Sequence, residues 1–157
     1  MDSMVSIFLS RANNELLASE ALKQLTDHKK SKEEFGIPAD TTFYSAVISH
    51  AYYAIFYAAK ALLLTAGIKT ASPEIHKKTY DSFKHNFIDT GILDVKLLAV
   101  YKNLIIRADT LLEIFKDEKW KRGNFTYNTI PQANKAPAES SLKNAKLFVA
   151  NIAKTLE

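Results

Sequence analysis

The sequence predicts an all-α fold, a bundle of five helices that forms one domain over residues 1–157. Only four glycines and four prolines are present, so few positions interrupt a helix. Apolar residues recur at three- and four-residue steps over long stretches, which is the periodicity of helices with a buried face. No stretch of any length alternates like a strand, and a chain of this length is typical of one domain with one core.

The first helix is predicted from about Ser3 to Thr26. Its apolar residues form one stripe in the first half and a displaced stripe in the second half, as in an amphipathic helix. The two stripes are Val5, Phe8, Leu9, Ala12 and Leu16, then Ala18, Ala21, Leu22 and Leu25. The charged segment that follows, DHKKSKEEFGIPADTT, contains Gly36 and Pro38 and is predicted to be a connection.

The second helix, predicted from about Phe43 to Ala66, is apolar nearly all round and stops at Gly67. Glycine suits the left-handed C-cap of a helix, and a helix that is apolar on every side belongs in the middle of a bundle. One ridge has mostly small side chains, which would let a neighbouring helix approach closely. This ridge consists of Val47, Ala51, Ala54, Ala58, Leu62 and Thr65.

A second face of this helix carries His50, Tyr53 and Tyr57, which predicts a hydrogen-bonded core or a dimer contact. The helix is also nearly long enough to cross a bilayer, because residues 41–59 carry no formal charge if His50 is neutral. Hydroxyl groups crowd its first half, however, and Lys60 follows directly. A buried core helix is the favoured interpretation, and we expect no membrane partner.

Three further helices complete the predicted bundle. The run Ser72-Pro73-Glu74 has the order of a serine N-cap, a proline first position and an acidic first turn, which predicts a third helix to about Phe87. Asp94 is the predicted N-cap of a fourth helix, and Pro137 opens the last one. The residues expected to face inward from the third helix are Ile75, Thr79, Tyr80, Phe83 and Phe87.

Composition excludes several classes of protein. With 47% hydrophobic and 24% charged residues, the chain is an ordinary globular protein. Because cysteine is absent, disulfides, thiolate zinc sites and cysteine nucleophiles are excluded. The N-terminal segment MDSMVSIFLSRANNE lacks the basic start and long apolar run of a signal peptide. A reducing cytoplasm is therefore the expected location.

No sequence feature indicates a cofactor or a metal. The chain has no glycine-rich phosphate loop, no HExxH pattern and no nucleophile elbow. His76 and His85 lie nine residues apart and so point from different faces of a helix, which makes them a poor metal pair. We therefore expect neither a cofactor nor a metal site.

The net charge of +4 is unevenly distributed. Residues 1–115 contain 13 basic and 13 acidic residues, whereas residues 116–157 contain 8 basic and 4 acidic residues. A polyanion would be drawn to the C-terminal part. Charge alone is explained as simply by a solvated surface with ordinary lysines.

Three segments of the chain resemble the HEPN family of small helical proteins. The segment SHAYYAIFYAAKALLLTAGI, residues 49–68, has the Ala-Tyr-Tyr-Ala core, apolar run and glycine typical of the family's second helix. Residues 87–93, FIDTGIL, resemble the junction between its third and fourth helices. Residues 121–127, KRGNFTY, fall where the family's arginine motif follows the fourth helix. The resemblance extends over residues 43–157, with the segments in the family's order and spacing.

The resemblance implies a HEPN-like bundle of four long antiparallel helices plus a shorter one. It also implies a protein that is commonly a homodimer and that binds or acts on RNA or nucleotides. Many members are ribonuclease toxins held in check by a partner nucleotidyltransferase. Their active motif is an arginine followed, after four to six residues, by a histidine, and the two subunits bring their motifs together.

The motif is incomplete in this sequence, because Arg122 is followed by Tyr127 where the histidine is expected. Cleavage of RNA through its 2′-hydroxyl needs a group that exchanges a proton near neutral pH. Imidazole, with a pKa of about 6.5, does this readily, and a phenol, with a pKa of about 10, does it poorly. None of the four histidines follows Arg122 in the sequence: they are His28, His50, His76 and His85.

Arg122 is nevertheless the best single candidate for a binding residue, because a guanidinium grips phosphate with two parallel hydrogen bonds. Basic and aromatic side chains alternate around it, as in sites for single-stranded nucleic acid. The predicted nucleotide- or RNA-binding residues are Lys119, Trp120, Lys121, Arg122, Asn124 and Tyr127. A surface arginine favoured by the helix dipole is an equally simple interpretation of Arg122, and aromatic residues pack inside proteins far more often than they stack on bases.

Three functions are compatible with these features. The leading hypothesis is a non-catalytic or weakly catalytic dimer that binds nucleotide or RNA phosphates near Arg122, together with a partner protein. The alternative is an active ribonuclease toxin in which Arg122, Asn124 and Tyr127 replace the usual motif. A third hypothesis is a protein interaction module that contacts no nucleic acid.

Overall fold

A computed structural model describes residues 1–117 and 135–157, with side chains for residues 1–108 and 135–157. The described residues form six α-helices and no strand, which confirms the predicted all-α fold. The helices are α1 (Ser3–Asp27), α2 (Lys29–Glu34), α3 (Tyr44–Thr65), α4 (Ile75–Phe83), α5 (Val95–Asp117) and α6 (Lys135–Thr155). The four long helices are α1, α3, α5 and α6, and α4 is the expected shorter one.

The predicted ridge of small side chains on α3 is buried and lies against α1. Ala54 on α3 and Ala12 on α1 have no exposed surface. Their small size lets the two backbones approach so closely that the Ser19 hydroxyl donates a hydrogen bond to the Val47 carbonyl at 2.8 Å. Ser19 pairs with residue 47 and Glu15 with residue 50, so the two helices are antiparallel.

Polar contacts fix the end of α1 to the start of α3. The backbone amide of Phe43 donates to the Thr26 hydroxyl at 3.0 Å, and the Tyr44 phenol donates to the Asp27 carboxylate at 2.6 Å. Lys23 donates to the same carboxylate, also at 2.6 Å. Burial alone would raise the pKa of Asp27, but the hydrogen bonds from Lys23 and Tyr44 outweigh it, so this pKa is lowered.

The helices α5 and α6 complete the core on the other side of α3. The rings of Phe83, Tyr101 and Phe148 pack with centroids 5.5 to 5.7 Å apart and have no exposed surface. Arg107 on α5 donates to the Pro137 carbonyl at 3.3 Å and to the Ser141 hydroxyl at 2.9 Å, both on α6. Residues 101 and 107 therefore face residues 148 and 141, so α5 and α6 are also antiparallel.

The structure adds one helix that the sequence analysis placed in a connection. The helix α2 forms within the segment DHKKSKEEFGIPADTT, has no apolar stripe, and is held by a contact to the loop that follows it. Lys32 is only 6% exposed, and its ammonium donates to the Ala39 carbonyl at 2.9 Å. Helical periodicity was the wrong criterion here, because a buried lysine stem does the packing that an apolar residue usually does.

The predicted start of the third helix is wrong by two residues. Glu74 has φ of +56°, which is a left-handed conformation, so regular helix begins only at Ile75 and Ser72 is not its N-cap. After α4 the chain continues in a π-helical turn over Lys84–Ile88. The fourth helix begins as predicted, because the Asp94 carboxylate accepts a hydrogen bond from the Lys96 amide at 2.9 Å.

The helix α3 is the central element of the described structure. It is long and apolar enough to cross a membrane, but 67% of its most apolar window is buried inside the bundle. Burial of this extent is typical of the core helix of a bundle, because α1, α4, α5 and α6 all pack against it. The apolar character of α3 therefore follows from its position.

We predict that Ala54→Leu lowers the free energy of unfolding by about 1 to 3 kcal/mol, because the added atoms have no space between α1 and α3. Ala54 is 0% exposed. Urea denaturation measures the change, with Ala150→Leu on the exposed face of α6 as a control. An unchanged midpoint for Ala54→Leu would contradict the close packing of these helices.

We predict that Tyr44→Phe costs about 1 to 2 kcal/mol at pH 7, because Asp27 loses a charged hydrogen bond. The pKa of Asp27 is lowered in the folded state, so this stabilisation is complete above the unfolded pKa of about 3.9 and is lost as the pH falls through the folded pKa. The cost should therefore shrink at pH 3. Urea denaturation at both pH values tests this, and Tyr80→Phe is the control whose effect should not depend on pH.

Candidate functional site

A cleft of about 990 Å³ opens between α3, the start of α4 and the middle of α5. Each helix contributes an aromatic or basic side chain to its walls, and α5 adds apolar residues at its far end. The residues that matter for its chemistry are Tyr52, Tyr53, His76, Lys77, Tyr80 and Lys102. The cleft thus brings aromatic and basic groups together on one concave surface.

His76 lies in the first turn of α4 and is held against the aromatic face of α3. Its Nδ1 atom is 2.6 Å from the Tyr52 hydroxyl. Its ring centroid is 4.5 Å from that of Phe56 and 6.0 Å from that of Tyr53. The imidazole is exposed to solvent, so an orienting hydrogen bond and two ring contacts fix a group that a ligand can reach.

Tyr80 of the cleft packs on Tyr101, a fully buried residue of α5 behind it. The ring of Tyr80 meets that of Tyr101 edge-on, with centroids 5.2 Å apart. Burial raises the pKa of the Tyr80 phenol and raises that of the Tyr101 phenol well above its ordinary value. Both therefore stay neutral at physiological pH. The buried Tyr101 hydroxyl has no hydrogen-bond partner among the described residues.

The charged side chains of the cleft are mostly basic. Lys77 and Lys102 oppose one acid, Glu74. Lys77 forms an exposed ion pair with Asp81 at 3.4 Å. Lys102 is exposed and forms no ion pair with any carboxylate whose position is described. It is therefore the cation in the cleft best placed to take an anionic ligand.

The site residues predicted from the sequence lie outside the described residues. These are Lys119, Trp120, Lys121, Arg122, Asn124 and Tyr127. The described part of α5 ends close to them in the sequence. The helix α5 lines the cleft from Lys102 to Ala108 and is helical to Asp117, five positions before Arg122.

The predicted face of His50, Tyr53 and Tyr57 divides between two surroundings. His50 turns toward α1, where its Nδ1 atom is 2.5 Å from the Glu15 carboxylate. Tyr53 instead lines the cleft and is 38% exposed. Its ring lies 6.4 Å from that of Tyr57. Hydrogen bonding of this face is thus confirmed at His50.

Tyr52, His76 and Lys102 line the cleft but were not predicted as site residues. His76 was considered only as a metal ligand, and its real partner, Tyr52, is 24 residues away in the sequence. The Ala-Tyr-Tyr-Ala segment was the available signal, because consecutive tyrosines in an apolar helix place one hydroxyl toward the neighbouring helix. Arg107, beside the cleft-lining residues of α5, bonds among the described residues to a carbonyl and a hydroxyl of α6.

No group of three potential ligands for a metal ion occurs where residues are described. In place of such a cluster, the cleft offers neutral phenols, an imidazole and ammonium groups. These groups can donate hydrogen bonds to phosphate oxygens and stack on planar rings. The cleft is therefore suited to a ligand that is both anionic and aromatic.

Comparison with known proteins shows the family of the chain. The sequence profile of the HEPN domain matches residues 15–154. The chain belongs to the HEPN domain family. Two curated HEPN-type relatives come from Methanocaldococcus jannaschii.

The first relative carries the name "Putative toxin MJ0605" and is 30% identical over 118 residues, which cover 75% of each chain. The second, "Putative toxin MJ0142", is 37% identical over 104 residues, which cover 63% of this chain and 69% of the relative. No solved structure gives a significant match.

Proposed function

We propose that this HEPN protein binds RNA or nucleotide phosphates in the cleft between α3, α4 and α5, with Arg122 as a further phosphate ligand. One observation carries the proposal: Lys102, an exposed lysine that pairs with no described carboxylate, shares the cleft with the exposed rings of Tyr53 and His76. A cation beside reachable aromatic rings is the combination that binds a nucleotide by its phosphate and its base together.

The protein in this proposal is non-catalytic or weakly catalytic. The arginine motif has Tyr127 in place of histidine, and a neutral phenol exchanges protons poorly near pH 7. Arg122 would still neutralise a phosphate, because a guanidinium keeps its charge at every relevant pH. The missing histidine therefore impairs cleavage more than it impairs binding.

A ribonuclease toxin is the second candidate function, and two observations favour it. The relatives are named as toxins, and His76 places an oriented imidazole in the cleft. In this function the 2′-oxygen attacks phosphorus while His76 takes the 2′-hydroxyl proton. The bond from phosphorus to the 5′-oxygen breaks, and the 5′-oxygen takes a proton from water. His76 thereby supplies the proton transfer that Tyr127 cannot.

The assembly we propose is a cytoplasmic homodimer with a nucleotidyltransferase as partner protein. The family resemblance supports this assembly, because HEPN proteins commonly pair in that way. A protein interaction module without any nucleic acid is the remaining possibility, and the binding experiment below separates it from the proposal.

We predict that Lys102→Gln weakens binding of a fluorescent single-stranded oligouridylate by about threefold to tenfold and makes the salt dependence shallower by about 0.7, the slope of one phosphate contact. Fluorescence anisotropy at low salt measures both quantities. Lys96→Gln removes an equally exposed charge from another face of α5 and should leave binding unchanged. Absence of binding by the wild-type protein would exclude the proposal and favour the interaction module.

We predict that the purified protein leaves a labelled RNA intact over hours, because the motif lacks its histidine. Cleavage that disappears in Arg122→Ala, with unchanged thermal unfolding, would replace the proposal by the toxin function. In that case His76→Gln should lower the rate about 100-fold or more, since glutamine keeps a hydrogen bond to Tyr52 but exchanges no proton. Denaturing gels of the products provide the measurement, and His28→Gln, on an exposed histidine outside the cleft, is the control.

A further inference from the structure

A row of aromatic rings continues from the cleft across α3 to α1. Tyr53 lines the cleft, and its ring centroid is 6.4 Å from that of Tyr57. Tyr57 in turn stacks on Phe8 of α1, with centroids 6.1 Å apart and ring planes within 18°. Positions 53, 57 and 60 follow one face of α3, so this row leads directly to Lys60.

Two cations lie over these rings. The guanidinium carbon of Arg11 is 5.5 Å from the centre of the Tyr57 ring. The ammonium of Lys60 is 5.0 Å from the centre of the Phe8 ring and also donates to the Thr70 carbonyl at 3.2 Å. We call Phe8, Arg11, Tyr57 and Lys60 the outer strip.

The outer strip has an uncompensated positive charge. Arg11 is exposed, and neither it nor Lys60 pairs with a carboxylate among the described side chains. Glu15, the acid one turn along α1 from Arg11, is bonded to His50. Burial and the nearby charge of Arg11 lower the pKa of Lys60, as expected where two cations lie close together without an anion.

We propose that the outer strip binds the continuation of a single-stranded RNA whose first nucleotides occupy the cleft, with Arg11 and Lys60 taking its phosphates. This inference rests on the proposed function and adds to it the substrate class and a second contact region. Single strands fit because only unpaired bases present free faces to aromatic side chains. The phosphates of the RNA then supply the negative charge that the outer strip lacks.

The geometry also limits the length of the bound strand. Positions 49 and 60 are the ends of the face of α3 that runs from the cleft to the outer strip, and the 1.5 Å rise of a helix makes this face about 16 Å long. Stacked nucleotides at about 3.4 Å each would fill it with about five. Affinity should therefore rise with oligonucleotide length up to about that number.

A second copy of the chain fits this strip less well. In a two-fold symmetric dimer the same surface faces itself, so strip against strip would place two Arg11 and two Lys60 side chains together. Like charges brought together in an interface cost free energy. The outer strip thus favours an anion over its own copy.

The test compares two oligouridylates, a dinucleotide and an octanucleotide, with the full-length protein. The double variant Arg11→Gln/Lys60→Gln should bind the octanucleotide about tenfold more weakly, with a salt slope shallower by about 1.4. It should bind the dinucleotide as the wild type does. Because Lys60 is half-buried, Arg11→Gln alone, an exposed change, should show the same pattern with about half the change in slope.

The matched control is Lys30→Gln/Lys143→Gln, which removes two exposed charges near the other end of α1. Lys30 follows the last turn of α1, and Lys143 lies on α6 between Glu139 and Lys146, which contact Lys23 and Glu20. If the two double variants bind the octanucleotide equally well, and the wild type binds it as expected, the proposal for the outer strip is overturned. The proposal for the cleft is then left intact. Dissociation of a dimer by the Arg11 and Lys60 changes, without a specific loss of octanucleotide binding, overturns it in favour of a subunit contact. Failure of the wild type to bind either RNA overturns both proposals.

Discussion

The close antiparallel contact between α1 and α3 is the constraint on which the rest of the structure depends. It needs small residues on both helices at the same level, and Ala12, Ser19 and Ala54 provide them with no exposed surface. The hydrogen bond from Ser19 to the Val47 carbonyl also fixes the register of the pair. Because the register is fixed, side chains two turns away from this contact also have fixed positions relative to one another.

That register determines where the side chains of the cleft and the outer strip lie. Because α1 packs against one face of α3, the aromatic residues on the neighbouring faces of α3 contact α4 and the side of α1. Tyr52 therefore meets His76, and Tyr57 meets Phe8 and Arg11. The cleft and the outer strip are thus two ends of one aromatic surface that borders the close contact between α1 and α3.

The sequence was sufficient for the long helices and for the family, because those depend on periodicity within a segment and on the Ala-Tyr-Tyr-Ala pattern. It was insufficient where a buried polar contact or an unusual backbone conformation decides the structure. Lys32 packs α2 through its aliphatic stem, and Glu74 delays the start of α4 with a left-handed backbone. The pairing of His76 with Tyr52 joins residues 24 positions apart, and no local pattern encodes it.

The hydrogen bonds of Arg107 have a consequence for the segment that carries Arg122. They fasten the first turns of α6 to α5 beside the cleft-lining residues 105, 106 and 108. The chain that leaves α5 after Asp117 must therefore return close to the cleft by Lys135. Closing a chain between two fixed points costs less entropy when it is short and raises the effective concentration of what it carries. Arg107 thereby couples the packing of α5 and α6 to the closure entropy of the segment whose two ends these helices hold.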